Sequence, residues 1–222
     1  MQLFDQLLQF PLFQGMSRDD LSQVAERTKF DFMKLQEGET IVAVGDRARH
    51  LYFLLSGTVS VVTQADDRSY RVTELTDAPL ILQPEALFGY NQRYTRTFKT
   101  HTPVNLLRLD KREVTRLSDE FMVFRINLLN IFATMSQHAA QQPWLPAPTT
   151  LRERIIKFFY QHCMHPAGPK TFHILMNTLA NELNDSRLNV SRQLNAMERE
   201  ELIVLKRGQI VIPHLEKISS ES

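Results

Sequence analysis

Cysteine is nearly absent from this chain, with Cys163 the only one among 222 residues. A single thiol excludes an internal disulfide and an all-cysteine zinc or iron–sulfur site. Long apolar runs are missing too. None approaches the ~18 residues needed to span a bilayer, so no membrane association is expected. The segment from Met1 to Phe13 has no basic region and carries Asp5, so it does not read as a secretory signal and a cytoplasmic protein is expected. An excess of one charge sign is also lacking: 26 Lys/Arg stand against 25 Asp/Glu. Charge alone therefore does not announce a nucleic-acid partner, and that question rests on where the charges sit. No Ser–His–Asp pattern or phosphate-cradling glycine motif occurs. No strand carries the paired histidines and glutamate of a cupin-type metal enzyme. No catalytic residue and no metal ligand is assigned, and an enzyme is not expected. The run His162-Cys163-Met164-His165 matches no standard ligand spacing and precedes Pro166, so it is read as packing and capping.

What the chain does have is a patterned stretch from Thr178 to Ile203. Leu179, Ala180 and Leu183 give the apolar face of a first helix. Asn184 can adopt the left-handed conformation of a tight turn. Asp185 and Ser186 are both good N-caps for a second helix. That helix buries Val190, Leu194 and Met197, spaced by four and three. Its other face shows Arg187, Asn189, Ser191, Arg192 and Gln193, with no acid from Ser186 to Met197. The pattern is a helix-turn-helix whose second helix suits a DNA major groove. Downstream, Val204–Leu205 and Gln209–Ile212 flank Lys206-Arg207-Gly208, a two-stranded wing with a basic tip. Lys206 and Arg207 are candidate phosphate contacts. A module whose hairpin binds only protein would share this pattern and would fail to bind DNA at any salt concentration.

Upstream, residues 1–35 read as helical, with Ser17 and Asp20 resembling a capping box. From Gly38 to about Arg108 short β-branched runs alternate with turn signals, which predicts a sandwich or barrel. A long helix is expected over about Lys111 to Gln141, with two apolar stripes. Phe121, Phe124, Leu128, Ile131 and Met135 make one, at the spacing of a short dimer seam. Met122, Leu129 and Phe132 make the other. Gln142–Thr150 holds three prolines, cannot continue a helix and reads as a hinge. Trp144 is expected to pack on a neighbouring domain, and Thr149 or Thr150 to cap a helix over Leu151–Gln161.

Gly38-Glu39, Gly45-Asp46 and Leu51-Tyr52-Phe53-Leu54-Leu55-Ser56-Gly57-Thr58-Val59 resemble the cyclic-nucleotide-binding jelly roll. Phe13, Met16-Ser17 and Leu21 resemble its leading helix. With the helix-turn-helix downstream, the chain resembles the Crp–Fnr superfamily of bacterial transcription regulators over roughly residues 10–212. The resemblance implies an α+β fold. Residues 1–110 would form the sensor jelly roll with leading helices, 111–141 a long dimerisation helix, 142–150 the hinge and 151–222 a winged helix-turn-helix domain. It implies a homodimer on a palindromic operator in double-stranded DNA, acting with RNA polymerase and modulated by a small-molecule effector.

Within that family the second helix begins Ser-Arg and has a second Arg five residues on, matched here by Ser186-Arg187 and Arg192. Arg187 and Arg192 are the expected base readers, since guanidinium presents a fork to guanine. Ser186 and Ser191 are expected at phosphates. Many members place Glu after the first Arg; here Leu188 can meet only a thymine methyl. The effector stretch departs further. Cyclic-AMP-binding members carry Gly-Glu-Leu and then Arg-Ser. Here Pro84 replaces the Gly, Glu85-Ala86 follow, and the Arg-Ser pair falls on Tyr94-Thr95, with Arg96 nearby and in register with Tyr94. Cyclic AMP is therefore not expected to bind. The jelly roll should hold a less anionic ligand or be filled by its own side chains, with Arg96 the one residue able to restore a phosphate clamp.

Overall fold

The computed structural model describes residues 3–144 and 146–219. In chain order the elements are helices α1 (Leu3–Leu7) and α2 (Arg18–Arg27), then strands β1 (Phe30–Leu35), β2 (Thr40–Val42), β3 (His50–Ser56), β4 (Thr58–Gln64), β5 (Arg71–Asp77), β6 (Leu80–Leu82), β7 (Thr97–Thr100) and β8 (Val104–Asp110). Helices α3 (Lys111–Glu120), α4 (Met122–Gln141) and α5 (Leu151–Gln161) follow. Strand β9 (Lys170–His173) precedes α6 (Met176–Glu182) and α7 (Arg187–Arg199), and the chain continues with β10 (Val204–Lys206), β11 (Gln209–Ile212) and α8 (Leu215–Ser219). No helix among them is long and apolar enough to cross a membrane. The chain groups into two compact units: residues 1–59, 77–95 and 100–145 form one, and 60–76, 96–99 and 146–222 the other.

The first unit holds an antiparallel sheet in the order β1-β8-β3-β6. Strand β1 corrects the expectation that residues 1–35 are helical throughout. It pairs with β8 from Phe30↔Leu109 to Leu35↔Val104. Exposure alternates along it, with Asp31, Met33 and Leu35 half-buried and Phe32 and Lys34 exposed, and β8 supplies the partner. The Ser17 hydroxyl accepts the Asp20 N–H at 3.1 Å, the expected N-cap of α2. Four phenylalanines from distant segments meet in the core. The Phe10 and Phe13 rings lie 5.0 and 5.8 Å from Phe53, and Phe13 lies 5.4 Å from Phe124. Gly57 has φ +90°, and an added Cβ would fall 2.5 Å from the Pro103 carbonyl oxygen, so only glycine fits this turn.

The single long helix expected over 111–141 is two. Phe121 is extended (φ −120°, ψ 106°) and separates α3 from α4. Asp119 and Glu120 explain the break: acids oppose the dipole at the end of α3 and favour the start of α4. Arg116 draws Glu113 and Glu120 together at 2.8 and 2.7 Å on the way. Trp144 is 85% exposed, which corrects the expectation that it packs. Prolines on both sides end the helical face that would have carried it inward.

In the second unit the strands run in the order β10-β11-β9-β5-β4-β7. Strand β9 was not foreseen. It joins the wing on one side and pairs with β5 on the other, from Arg71↔His173 to Glu74↔Lys170. At the last pair, Lys170 Nζ stands 2.7 Å from Glu74 Oε1, with side-chain exposures of 0% and 1%. The contact is charge against charge, without a well-directed hydrogen bond on Nζ. Backbone N–H groups of Met164 and His165 also donate to the Glu74 carboxylate. His162 closes α5: its Nδ1 lies 2.7 Å from the Phe158 carbonyl and its Nε2 2.9 Å from the Tyr70 hydroxyl. Burial pushes the Cys163 thiol up to about 12, which leaves it a neutral packing group.

Candidate nucleic-acid interface

The helix-turn-helix is built from local chemistry. Asn184 takes φ 50° and turns the chain between α6 and α7. The Ser186 hydroxyl accepts the Asn189 N–H at 3.1 Å, capping α7. Asp185 accepts from the Asn189 side-chain amide at 2.9 Å and the Ser186 N–H at 2.7 Å, and pairs with Arg154 of α5. Those hydrogen bonds, Asn189 first, hold the Asp185 carboxyl below its ordinary range. Val190, Leu194 and Met197 are fully buried, and they lock one face of α7 against the α5 and α6 side chains.

The opposite face is open. Arg187, Leu188, Asn189 and Arg192 are exposed and Ser191 is half-buried. Neither Arg187 nor Arg192 has a hydrogen-bond or ion-pair partner among the described residues. Asn189 is different: one N–H of its amide is already given to Asp185, which leaves its other N–H and its oxygen. Thr150 caps α5 through a full capping box with Glu153, as one of the two sequence candidates. In the wing, β10 and β11 pair from Val204↔Val211 to Lys206↔Gln209. Gly208 takes φ 71° at the turn, and Lys206 and Arg207 are exposed beside it. Glu198 of α7 accepts the Leu205 N–H at 2.7 Å, fixing the wing to the helix.

The effector candidates present a closed arrangement. The Gln83 side chain donates to Thr95 Oγ1 at 2.7 Å and to Glu85 Oε1 at 3.3 Å, and accepts the Thr95 N–H at 3.1 Å. Gln83 itself sits in the left-handed region (φ 37°) before a 3-10 turn over Pro84–Leu87. Ala86 is buried there. Tyr94 is 3% exposed, and its hydroxyl donates to the His50 carbonyl at 2.7 Å. Burial raises the Tyr94 hydroxyl well above its ordinary value. The shared strand parity expected for Tyr94 and Arg96 does not apply, because β7 begins only at Thr97. Arg96 lines a cavity of about 150 Å³ in the second unit, with Gln64, Tyr70 and His162.

The seam drawn for the long helix needs correction. Phe124 and Leu128 are buried in the first unit's own core, and Phe121 and Ile131 pack against it. Of that stripe only Met135 is exposed. Two stripes of equal apolarity give no sign of which one the core takes; the rings of Phe13 and Phe53 decide it. The open stripe of α4 is Met122, Ile126 and Leu129, each exposed, while Phe132 packs against the core.

A β-rich domain followed by a capped helix-turn-helix with a wing is the architecture of a DNA-binding transcription regulator and not of an enzyme. Residues 32–121 match the model of the cyclic nucleotide-binding domain, and residues 153–220 match that of the Crp-like helix-turn-helix domain. The chain belongs to the Crp–Fnr superfamily. No curated protein matches significantly. Among solved structures, the catabolite activator protein of Thermus thermophilus is similar at 21% identity and TM-score 0.55, covering 95% of this chain and 97% of that one. The sensor domain of the transcriptional regulator DNR from Pseudomonas aeruginosa is similar at 19% identity and TM-score 0.52, covering 66% of this chain and 94% of that one. The N-terminal domain of a transcriptional regulator from Streptomyces coelicolor A3(2) is similar at 20% identity and TM-score 0.51, covering 62% and 94%. These likenesses concern the fold.

Proposed function

We propose that the protein binds a palindromic operator in double-stranded DNA as a homodimer in the cytoplasm, and acts there with RNA polymerase. The observation that carries this reading is the face of α7: two exposed, unpartnered guanidiniums on a helix without an acid from Arg187 to Met197. Arg187 and Arg192 read guanine edges, Leu188 meets a thymine methyl, and Ser186, Ser191, Lys206 and Arg207 hold phosphates. Asn189 serves the cap first and the DNA second.

Dimerisation uses the open stripe of α4. Met122, Ile126 and Leu129 are 68%, 47% and 56% exposed and recur at four and three residues, the spacing of a coiled-coil seam. A two-fold dimer supplies two α7 helices, one for each half-site of a palindrome. Leu129→Glu should yield monomers by light scattering and lose operator binding with the fold intact. Leu128→Glu should instead unfold the first unit. A dimeric Leu129→Glu protein would place the partner surface elsewhere.

The effector is not cyclic AMP. Tyr94 stands where the family's phosphate-binding Arg would fall, and the Gln83–Thr95–Glu85 hydrogen bonds occupy the polar groups of the turn. Calorimetry with cyclic AMP and cyclic GMP should show no micromolar binding. Micromolar binding that disappears in Arg96→Ala would restore a cyclic-nucleotide sensor.

A further inference from the structure

The first unit has a cavity of about 880 Å³ between residues 47–49, residues 90–93 and the start of α3. None of Gln83, Glu85, Ala86, Tyr94 or Thr95 lines it. Arg47, Arg49, Arg93, Lys111 and Arg112 do, in a chain whose net charge is only +1. Cationic side chains around one concavity raise its potential together and attract anions.

The charges are not neutralised from within. Among the described residues, Asp110 is the one acid on the lining. Its carboxylate caps α3 by accepting the Arg112 N–H at 2.8 Å and lies 3.9 Å from His50. Arg93 donates to the Gly45 carbonyl at 2.6 Å, and Lys111 to the Gln92 side-chain oxygen at 2.8 Å. Both acceptors are neutral, so both charges remain. The side chains of Arg47, Arg49 and Arg112 have no hydrogen-bond or ion-pair partner among the described residues. At the rim, the Tyr90 ring is wholly exposed.

We infer that this cavity is a site for a small polyphosphate anion carrying a planar ring, of the nucleoside di- or triphosphate class. Several forked guanidiniums around one space match phosphate oxygens bidentately. The volume falls in the range of small-molecule sites, well below a macromolecular groove. Tyr90 offers the stacking face that a base needs. Every residue on its lining belongs to the first unit, and binding there needs no DNA.

Calorimetry of the full chain with ADP, inorganic pyrophosphate and adenosine tests it. ADP should bind more tightly than pyrophosphate, and adenosine should give no signal. The double variant Arg49→Gln/Arg112→Gln should weaken ADP at least about tenfold. Tyr90→Ala should weaken ADP and leave pyrophosphate unchanged. All three side chains are exposed, so the variants keep the fold. Absence of ADP and pyrophosphate binding, or binding unchanged in the double variant, overturns the site. So does a double variant that loses duplex affinity while its ADP affinity stays the same, which would assign these charges to DNA phosphates.

Discussion

Two polar regions of this chain are built on opposite principles. On α7, Arg187 and Arg192 project from a helix locked by Val190, Leu194 and Met197, and none of the described residues answers their charge. Around residues 83–95, the polar groups answer one another: Gln83 to Thr95 and Glu85, Tyr94 to the His50 carbonyl. The difference separates a surface prepared for a partner from a turn that stabilises itself. Polar groups satisfied internally contribute to folding, whereas polar groups left open contribute to binding. Substitutions in the closed set should therefore lower stability, and substitutions in the open set should lower DNA affinity at constant stability.

The largest effect is expected at the most closed pair. Glu74→Ala would leave Lys170 buried and unpaired, and should cost about 3–5 kcal/mol by urea unfolding. Loss of under about 1 kcal/mol would mean that water or a neighbour already serves Lys170. Next comes Gln83→Ala, which removes both hydrogen bonds between Gln83 and Thr95 and should cost about 1–3 kcal/mol of stability. If stability held and a ligand bound better, the turn would be a working site and not a closed one. Arg192→Ala should weaken the specific duplex by about 1–3 kcal/mol, relax one base position and leave the urea midpoint unchanged. Lys206→Ala should have the smallest effect, a uniform weakening on all duplexes with a shallower salt dependence. A sequence-dependent loss in Lys206→Ala would make the wing a base reader.

The sequence shows most clearly what local chemistry decides. Asn184, Ser186 and the Val190–Leu194–Met197 stripe specify the turn, the cap and the buried face of α7 within some fifteen residues, and the structure has all three. The capping of α2 and α5 is equally local. Elements whose partners lie far along the chain were harder to see. Strand β1 finds its partner in β8, and β9 lies between β11 and β5, so neither announces itself by its own few residues. The core-facing stripe of α4 was chosen by Phe13, more than a hundred residues away. At the effector turn, the order of residues showed that an arginine is missing, but not that Gln83 would take a left-handed conformation and close on Thr95.

The central claim is that α7 reads sequence. Its most direct test is selection of duplexes from a random pool by the full chain, repeated with Arg192→Ala. The account predicts an enriched palindrome whose half-sites lie about one helical turn apart, with one symmetric position degenerate in the variant. Duplexes recovered without any common sequence, or an identical palindrome from both proteins, would contradict it.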